Sequence, residues 1–468
     1  KKDKAEKEGG GKKKDRAEKK KEKAEKRKAR AEKKKDKAEK NKDKAEKEGG
    51  PPPKIGGAGA AILKMEDDAA TRVRRDAVKA AMQHAWKGYS DNAFGADEVQ
   101  PSSGSAINNW GGMGNTLVDS LDTLWIMGMK DEFWKCRDWV RDKLAYNISA
   151  PMSTFETTIR SLGGLLAAYD WSGDKAFLDK AIDLGDRLLE TFGEGGFPMG
   201  QSLLRKDSAS NAGWLNGQLV LAEIGTLQVE FRYLAAASGN NIYAERSEKV
   251  FHILNDIKPK DGLYPTRVSV RNGKVSFSNS QISFGAMGDS FYEYMLKIWL
   301  QGGQKETMYR TMYDESMEGM VNQLIQKSTP SDLTYIAERQ GGRLLHKMDH
   351  LACFMGGLLA LGAYTDPGGL ESERAQRDLQ LAKDITYTCY QMYKRMPSGI
   401  APEAITFSSG QDFSASNARY YILRPETVES FFILNQLTGD PIYREWGWEV
   451  FQSIEKHCRT EIAYSGLR

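Results

Sequence analysis

Cysteine is scarce in this chain: four among 468 residues, at positions 136, 353, 389 and 458. So few exclude a disulfide-rich scaffold, and their spacing matches no zinc pattern. Free thiols or a single disulfide both stay open on the count alone. Histidine is nearly as scarce, with five in all. His346 and His350 stand four apart, but there is no HExxH and no third-ligand spacing, which argues against zinc. No run of 18 apolar residues occurs, so no stretch reads as a membrane span. No signal peptide is visible either. The chain opens on Lys rather than Met, which leaves room for a targeting segment upstream. GxSxG and P-loop motifs are missing. GGAG at 56–59 lacks a third glycine and follows PPPK rather than a strand, so it does not read as a nucleotide loop.

Residues 1–50 have no aromatic residue, Met or Cys, and carry 24 Lys+Arg against 13 Asp+Glu. Such a segment cannot bury a core. Ala-Glu-Lys recurs every seven residues from Ala17 to Ala45, yet only Ala falls on a regular seam, which argues against a coiled coil. A solvated single helix or disordered stalk is expected. With no aromatics interleaved, nucleic-acid binding is not. Residues 51–65 read as a linker and 66–468 as the folded body, which is acidic on balance with 42 basic against 51 acidic residues.

Within that body, three stretches repeat one plan. FETTIRSLGGLLAAYDWSGD (155–174), MGDSFYEYMLKIWLQGG (287–303) and LRPETVESFFILNQLTGD (423–440) each begin near a carboxylate, run through an apolar helix-like segment and close at a Gly turn. Helices of this length span about 20–25 Å at 1.5 Å per residue. Packed side by side, they bring Glu156, Asp289 and Glu426 to one end. The plan recurs at 117–133, 221–243 and 348–364, with turns expected at Gly128, Gly239 and near Gly362. SGDKAF (172–177), SGNNIY (238–243) and TGDPIY (438–443) echo one another after the turns, and an amphipathic helix follows each. Six inner helices at this spacing, with an extra outer helix at 66–90, predict an all-α, closed toroid of seven helical pairs. Its seventh inner helix is missing from this sequence. TRVSVRNGKVSFS (266–278) predicts a β-hairpin at the mouth of the site.

The charges are placed where stability alone does not call for them. Glu156 and Arg160 are spaced i,i+4, as are Asp289 and Glu293, and as are Asp119 and Thr123; Glu426 and Glu429 are i,i+3. One such pair is an ordinary solvated helix face, and like charges at this spacing repel. Helix dipoles favour acids at N-termini, which accounts for part of the pattern. Several pairs at the starts of apolar helices point instead to acid/base chemistry on a neutral, hydroxyl-rich substrate. Buried carboxyls drive each other's pKa values apart, so one serves as acid and another as base, the division that glycoside hydrolysis needs. Carboxylate clusters also suit calcium. Trp110, Trp125, Phe155, Phe284, Phe291 and Tyr292 are core by default, with a few available as sugar-stacking platforms.

NNWGGMGNTLVDSLDTLWIMGM, FETTIRSLGGLLAAY, FGAMGDSFYEYMLK, KMDHLACFMGGLLALG and LRPETVESFFIL, in this order, resemble class I α-1,2-mannosidases of glycoside hydrolase family 47, over about 70–468. The resemblance implies an (α/α)7 barrel, bound Ca2+, and inverting removal of terminal α-1,2-linked mannose from high-mannose N-glycans, by a monomer. Glu156 resembles the proton donor, and Asp289 and Glu426 the other catalytic acids, with Glu426 the base. Asp119, Arg160, Glu223, Glu293, His350, Glu403, Arg424 and Glu429 match the polar lining. Cys353 and Cys389 match the family's disulfide, which implies a secretory location and fits the Asn147-Ile-Ser149 sequon. The family's closing Asn-Thr-Glu segment, source of the direct calcium ligand, is not in this sequence, so that ligand is expected beyond Arg468 and no metal ligand within it. Met287 stands where ER-type enzymes have an arginine that selects one branch, so a Golgi-type enzyme is implied, its membrane anchor outside this chain. Two alternatives share the architecture: a glycan-binding quality-control protein resembling the ER degradation-enhancing mannosidase-like proteins, and a glucoamylase-like hydrolase.

Overall fold

The computed structural model describes residues 68–467, except 194, 206, 207, 416 and 417. The chain divides into two units, Lys1–Lys54 and Ile55–Arg468. The expected stalk (1–50) and linker (51–65) lie outside the described residues.

Helices pair along the chain. α1 (Ala69–Ala93) is an outer helix, started by Asp68, whose carboxylate accepts the Thr71 N–H at 2.6 Å. α2 (Asn115–Asp119) and α3 (Leu121–Ile126) form the first inner segment, and α4 (Lys130–Asp142) returns outside. The second inner segment is α5 (Thr154–Glu156), a π-helical turn (Thr157–Leu162) and α6 (Gly163–Ser172), backed by α7 (Lys175–Leu189). α8 (Leu221–Ile224) and α9 (Gln228–Ser238) pair with α10 (Ile242–Asp256). α11 (Asp289–Gln301) pairs with α12 (Thr307–Gln323), α13 (Phe354–Tyr364) with α14 (Glu373–Lys394), and α15 (Glu426–Thr438) with α16 (Ile442–His457). Inner neighbours in sequence also pack in space: α3 on α6, α6 on α9, α9 on α11, α11 on α13 and α13 on α15. On the outer side α1 meets α16, where Arg74 donates to both Glu445 oxygens at 2.8 and 2.7 Å. The described residues thus form the helical-pair toroid that the repeat predicts, with six inner and seven outer segments.

Burial sorts the two rings. In α13, nine of 11 residues are buried, as expected of a helix surrounded by others. α7 buries only the stripe Phe177, Leu178, Ala181, Leu184, Gly185 and Leu188. The echoing turns have one physical cause. Gly173, Gly239 and Gly439 each end an inner helix with φ of 69°, 70° and 73°, a conformation that side chains resist. The hydroxyl before each glycine donates back to a carbonyl four residues earlier: Ser172 to Ala168 O at 2.6 Å, Ser238 to Leu234 O at 2.6 Å, Thr438 to Leu434 O at 2.7 Å. The Asp or Asn after it caps the returning segment: Asp174 Oδ1 accepts from Ala176 N at 2.9 Å, and Asp440 Oδ1 from Ile442 N at 2.9 Å. Ser/Thr-Gly-Asp/Asn is therefore a helical-hairpin turn.

Three expected features differ in detail. The segment 221–243 breaks at Gly225, where a Cβ would come 2.4 Å from the Phe291 ring, so α8 and α9 are separate. Gly362 makes no turn. It lies inside α13 because a Cβ there would stand 2.2 Å from the Tyr313 hydroxyl, and the chain turns only after Tyr364. The helix after Glu156 opens into the π turn instead of running on as α. The 266–278 hairpin forms as expected, strands 267–271 and 274–277 joined at Asn272-Gly273, both with positive φ. Short strands also precede Glu156 (152–153), Glu223 (219–220) and His350 (347–349), so the hairpins border the inner-helix starts.

Candidate active site

On the α5 side, Ser153 Oγ caps the helix by accepting the Glu156 N–H at 3.1 Å. Arg160, one turn on, donates Nε–H to Glu156 at 2.9 Å and reaches Asp119 at 3.4 Å. Burial works to lower the Arg160 guanidinium, but Glu156 and Asp119 outweigh it and raise it. Burial raises Asp119, with Arg160 opposing. The π turn contributes here. Thr158 donates back to Thr154 O at 2.8 Å, and a Cβ on Gly164 would stand 2.5 Å from Val118 O, so α6 lies directly on the first inner segment. π turns recur at functional sites.

α8 joins this side to the next. Burial pushes the Glu223 carboxyl up to about 6, and the charge of Glu156 adds to the push. Its neighbour Ala222 donates N–H to Met287 O at 3.0 Å, two residues before Asp289. Asp289 opens α11, and its Oδ1 accepts from the Ser290 N–H at 2.8 Å. Burial pushes the Asp289 carboxyl up to about 7; Ser290 pulls it down, while Glu293 and Glu426 add to the rise. Asp289 and Glu426 thus lie within electrostatic reach of each other, from helices 137 residues apart in sequence. Glu293 is ion-paired with Lys297, which approaches Glu429 at 4.0 Å. Burial raises Glu429, with Lys297 opposing.

Glu426 opens α15. His350 is fully buried, and its Nδ1 lies 3.2 Å from Glu426 Oε2. Its Nε2 meets Tyr393 Oη at 2.7 Å and Thr427 Oγ1 at 3.1 Å. Nearby, buried Glu403 is ion-paired with Arg424 and accepts the Ile422 N–H at 3.1 Å. The Cys353–Cys389 disulfide forms, tying the start of α13 to α14, whereas Cys136 and Cys458 are free and buried.

The structure therefore gathers Asp119, Glu156, Arg160 and Glu223 on one side, and Asp289, Glu293, His350, Glu426 and Glu429 on the other, with Met287 and α8 between them. Glu403 and Arg424 form an adjoining pair. Sequence reasoning missed Lys297, Tyr393 and Glu230. Burial pushes Glu230 up to about 7, and it accepts from Tyr294 Oη at 2.7 Å. Lys297 was findable, four residues after Glu293 on one helix; Tyr393 and Glu230 meet partners distant in sequence. Phe284, Phe291 and Tyr292 are core, at 0–1% exposure. Trp110, Trp125 and Phe155 stay partly accessible. His346 is not on a helix with His350: it follows strand 343–345, and its Nδ1 lies 2.8 Å from Tyr335 Oη.

Carboxyls gathered at the inner-helix starts of a helical toroid, several of them raised by burial, are the equipment of glycoside hydrolysis. Residues 81–468 match glycosyl hydrolase family 47, and the chain belongs to that family. It is 46% identical over 421 residues to Mannosyl-oligosaccharide 1,2-alpha-mannosidase MNS1 of Arabidopsis thaliana, covering 88% of this chain and 74% of that protein. It is 42% identical over 423 residues to Mannosyl-oligosaccharide alpha-1,2-mannosidase IA of Drosophila melanogaster, covering 88% of this chain but 62% of the relative, less than two thirds of its length. The solved alpha-1,2-mannosidase from Trichoderma reesei superposes with a TM-score of 0.77 at 28% identity, over 84% of this chain and 87% of that one.

Proposed function

We propose that this chain hydrolyses terminal α-1,2-linked mannose on high-mannose N-glycans with inversion. The observation that carries the reading is the placement of Asp289 and Glu426 at the starts of two inner helices, with His350 Nδ1 3.2 Å from Glu426 Oε2. Glu426 accepts a proton from water, whose oxygen attacks the anomeric carbon as the bond to the leaving oxygen breaks. The leaving oxygen takes a proton from the opposing side. Glu156 is the donor by resemblance; Asp289, which burial keeps protonated up to about pH 7, is a second proton reservoir on the Glu426 side. Asp119, Arg160, Glu223, Glu293, Glu403, Arg424 and Glu429 supply hydrogen bonds to sugar hydroxyls.

Calcium belongs to the same proposal. Carboxylate oxygens suit it, but among the described residues no group of three or more His, Cys, Asp or Glu side chains is arranged to hold a metal ion. No step above runs through the ion. A secretory compartment is supported by the disulfide, which persists where thiols oxidise, and the Asn147 sequon is exposed. Among the described residues no helix is long and apolar enough to cross a membrane. The Golgi and its membrane, rather than the ER, are proposed on Met287. Met287→Arg is expected to narrow trimming to fewer branches, read as the isomers left by chromatography. The test of the whole reading is free mannose released from a high-mannose N-glycan by folded protein with calcium added. Glycan binding without release would refute it in favour of a quality-control lectin.

A further inference from the structure

Glu426 makes its histidine contact through a ring nitrogen that donates only if the opposite nitrogen accepts, because neutral imidazole carries one N–H. The opposite nitrogen, His350 Nε2, faces Tyr393 Oη at 2.7 Å. Tyr393 has one proton, and His350 Nε2 and Tyr421 Oη are both placed to take it; Thr427 Oγ1, 3.1 Å from His350 Nε2, is a second and more distant hydroxyl on that nitrogen. Tyr421 Oη lies 3.4 Å away and spends its own proton on Arg424 O at 3.1 Å, so it is open as an acceptor. His350 Nε2 is nearer and is the stronger acceptor, so the Tyr393 proton goes there. The imidazole proton is then left on Nδ1, aimed at Glu426 Oε2 at 3.2 Å. Burial holds the Tyr393 phenol well above its ordinary range, so it keeps that proton.

The covalent frame enforces this arrangement. Cys353 ends the short turn that His350 begins, and Cys389 lies one helical turn before Tyr393 on α14. The Cys353–Cys389 bond therefore fixes the two partners of the relay against each other. Tyr393 is 1% exposed, His350 is fully buried, and neither faces solvent that could substitute for the bond.

We propose that Tyr393 is a positioning residue for hydrolysis: by donating to His350 Nε2 it fixes the tautomer whose Nδ1–H is donated to Glu426 Oε2 and orients that carboxyl. The proposal rests on the mannosidase reading for its kinetic consequence, but its structural core, the tautomer, is tested separately. Tyr393→Phe keeps the ring and removes the nearer hydroxyl, leaving the more distant Thr427 Oγ1 facing Nε2. Lost outer-shell partners of this kind cost roughly 10–100-fold in activity, so kcat is expected to fall about tenfold with KM within about twofold. Tyr390→Phe is the control. It removes a hydroxyl from the same helix, there donating to Glu449 at 2.7 Å, and is expected to leave kcat within about twofold. Side-chain 15N NMR of the protein, with His350 identified by His350→Gln among five histidines, reads the second arm. A protonated Nδ1 and an unprotonated Nε2 are expected, moving toward a mixture in Tyr393→Phe. Protonated Nε2 in the unaltered protein overturns the proposal whether or not mannose is released. So does a Tyr393→Phe protein with unchanged kcat and unchanged 15N shifts. If the unaltered protein releases no mannose while the tautomer is as stated, the mannosidase reading fails and the positioning of Glu426 stands.

Discussion

Replacing Asp289 by Asn should make the protein more stable and nearly inactive, and the gain should depend on pH in one direction. Burial lifts this carboxyl from 3.8 to about 7. The folded chain therefore holds the proton where the unfolded chain has released it. The group's contribution to stability is fullest below about pH 3.8 and is lost as pH rises to about 7. Three units at ~1.36 kcal/mol each come to about 4 kcal/mol. The carboxyl is partly exposed, so about 3 kcal/mol is the better figure. Asn mimics the neutral acid and does not carry that cost. For about 400 ordered residues the unfolding entropy is about 0.8 kcal/mol/K, so the variant should melt about 4 °C above the unaltered protein at pH 8. The gap should shrink toward zero at pH 4. Calorimetry of both proteins across pH 4–8 measures it. A gap that does not widen with pH would falsify the burial argument. The companion expectation is a fall in kcat of at least ~100-fold, the scale of a lost acid/base group. Stability retained with activity unaffected would remove Asp289 from the chemistry.

Breaking the Cys353–Cys389 bond, which closes a loop of 36 residues, should cost about 4 kcal/mol by loop entropy. A double Cys→Ser variant and chemical denaturation check this, and an unchanged midpoint with an unchanged slope would count against it. Lys297→Met leaves Glu293 and Glu429 facing each other without their cation. The lysine is 39% exposed, so the stability loss should be only about 1 kcal/mol. Removing the cation raises Glu429, which Lys297 otherwise holds down, so the acidic limb of the pH–activity profile should move to higher pH.

The toroid was legible because its turns are local chemistry. A hydroxyl, a glycine and an Asx residue in succession make the same bonds at 172–174 and 438–440, wherever the chain runs next. The carboxylates were legible for a related reason: each stands at the start of an apolar helix, and charge there is conspicuous. What escaped were features that depend on a neighbour distant in sequence. Gly362 reads as a turn until the Tyr313 hydroxyl is found pressed against it. The π turn after Glu156 follows no propensity rule, because TTIRSL suits an ordinary helix as well. Tyr393 looks like one of several tyrosines on an amphipathic helix, and its tie to His350 spans 43 residues.

Met287 shows how a constrained backbone position can still vary in side chain. Its φ of 72° places a non-glycine residue in the left-handed region, and its carbonyl is pinned by Ala222 N–H at 3.0 Å. The following glycine permits no retreat, since a Cβ at 288 would stand 2.1 Å from Ser283 O. β-Branched residues tolerate that backbone poorly, while long unbranched ones fit it alike. Methionine and arginine are thus interchangeable there at nearly equal conformational cost. A lineage could exchange one for the other by substitution at that position alone, with the backbone around it undisturbed.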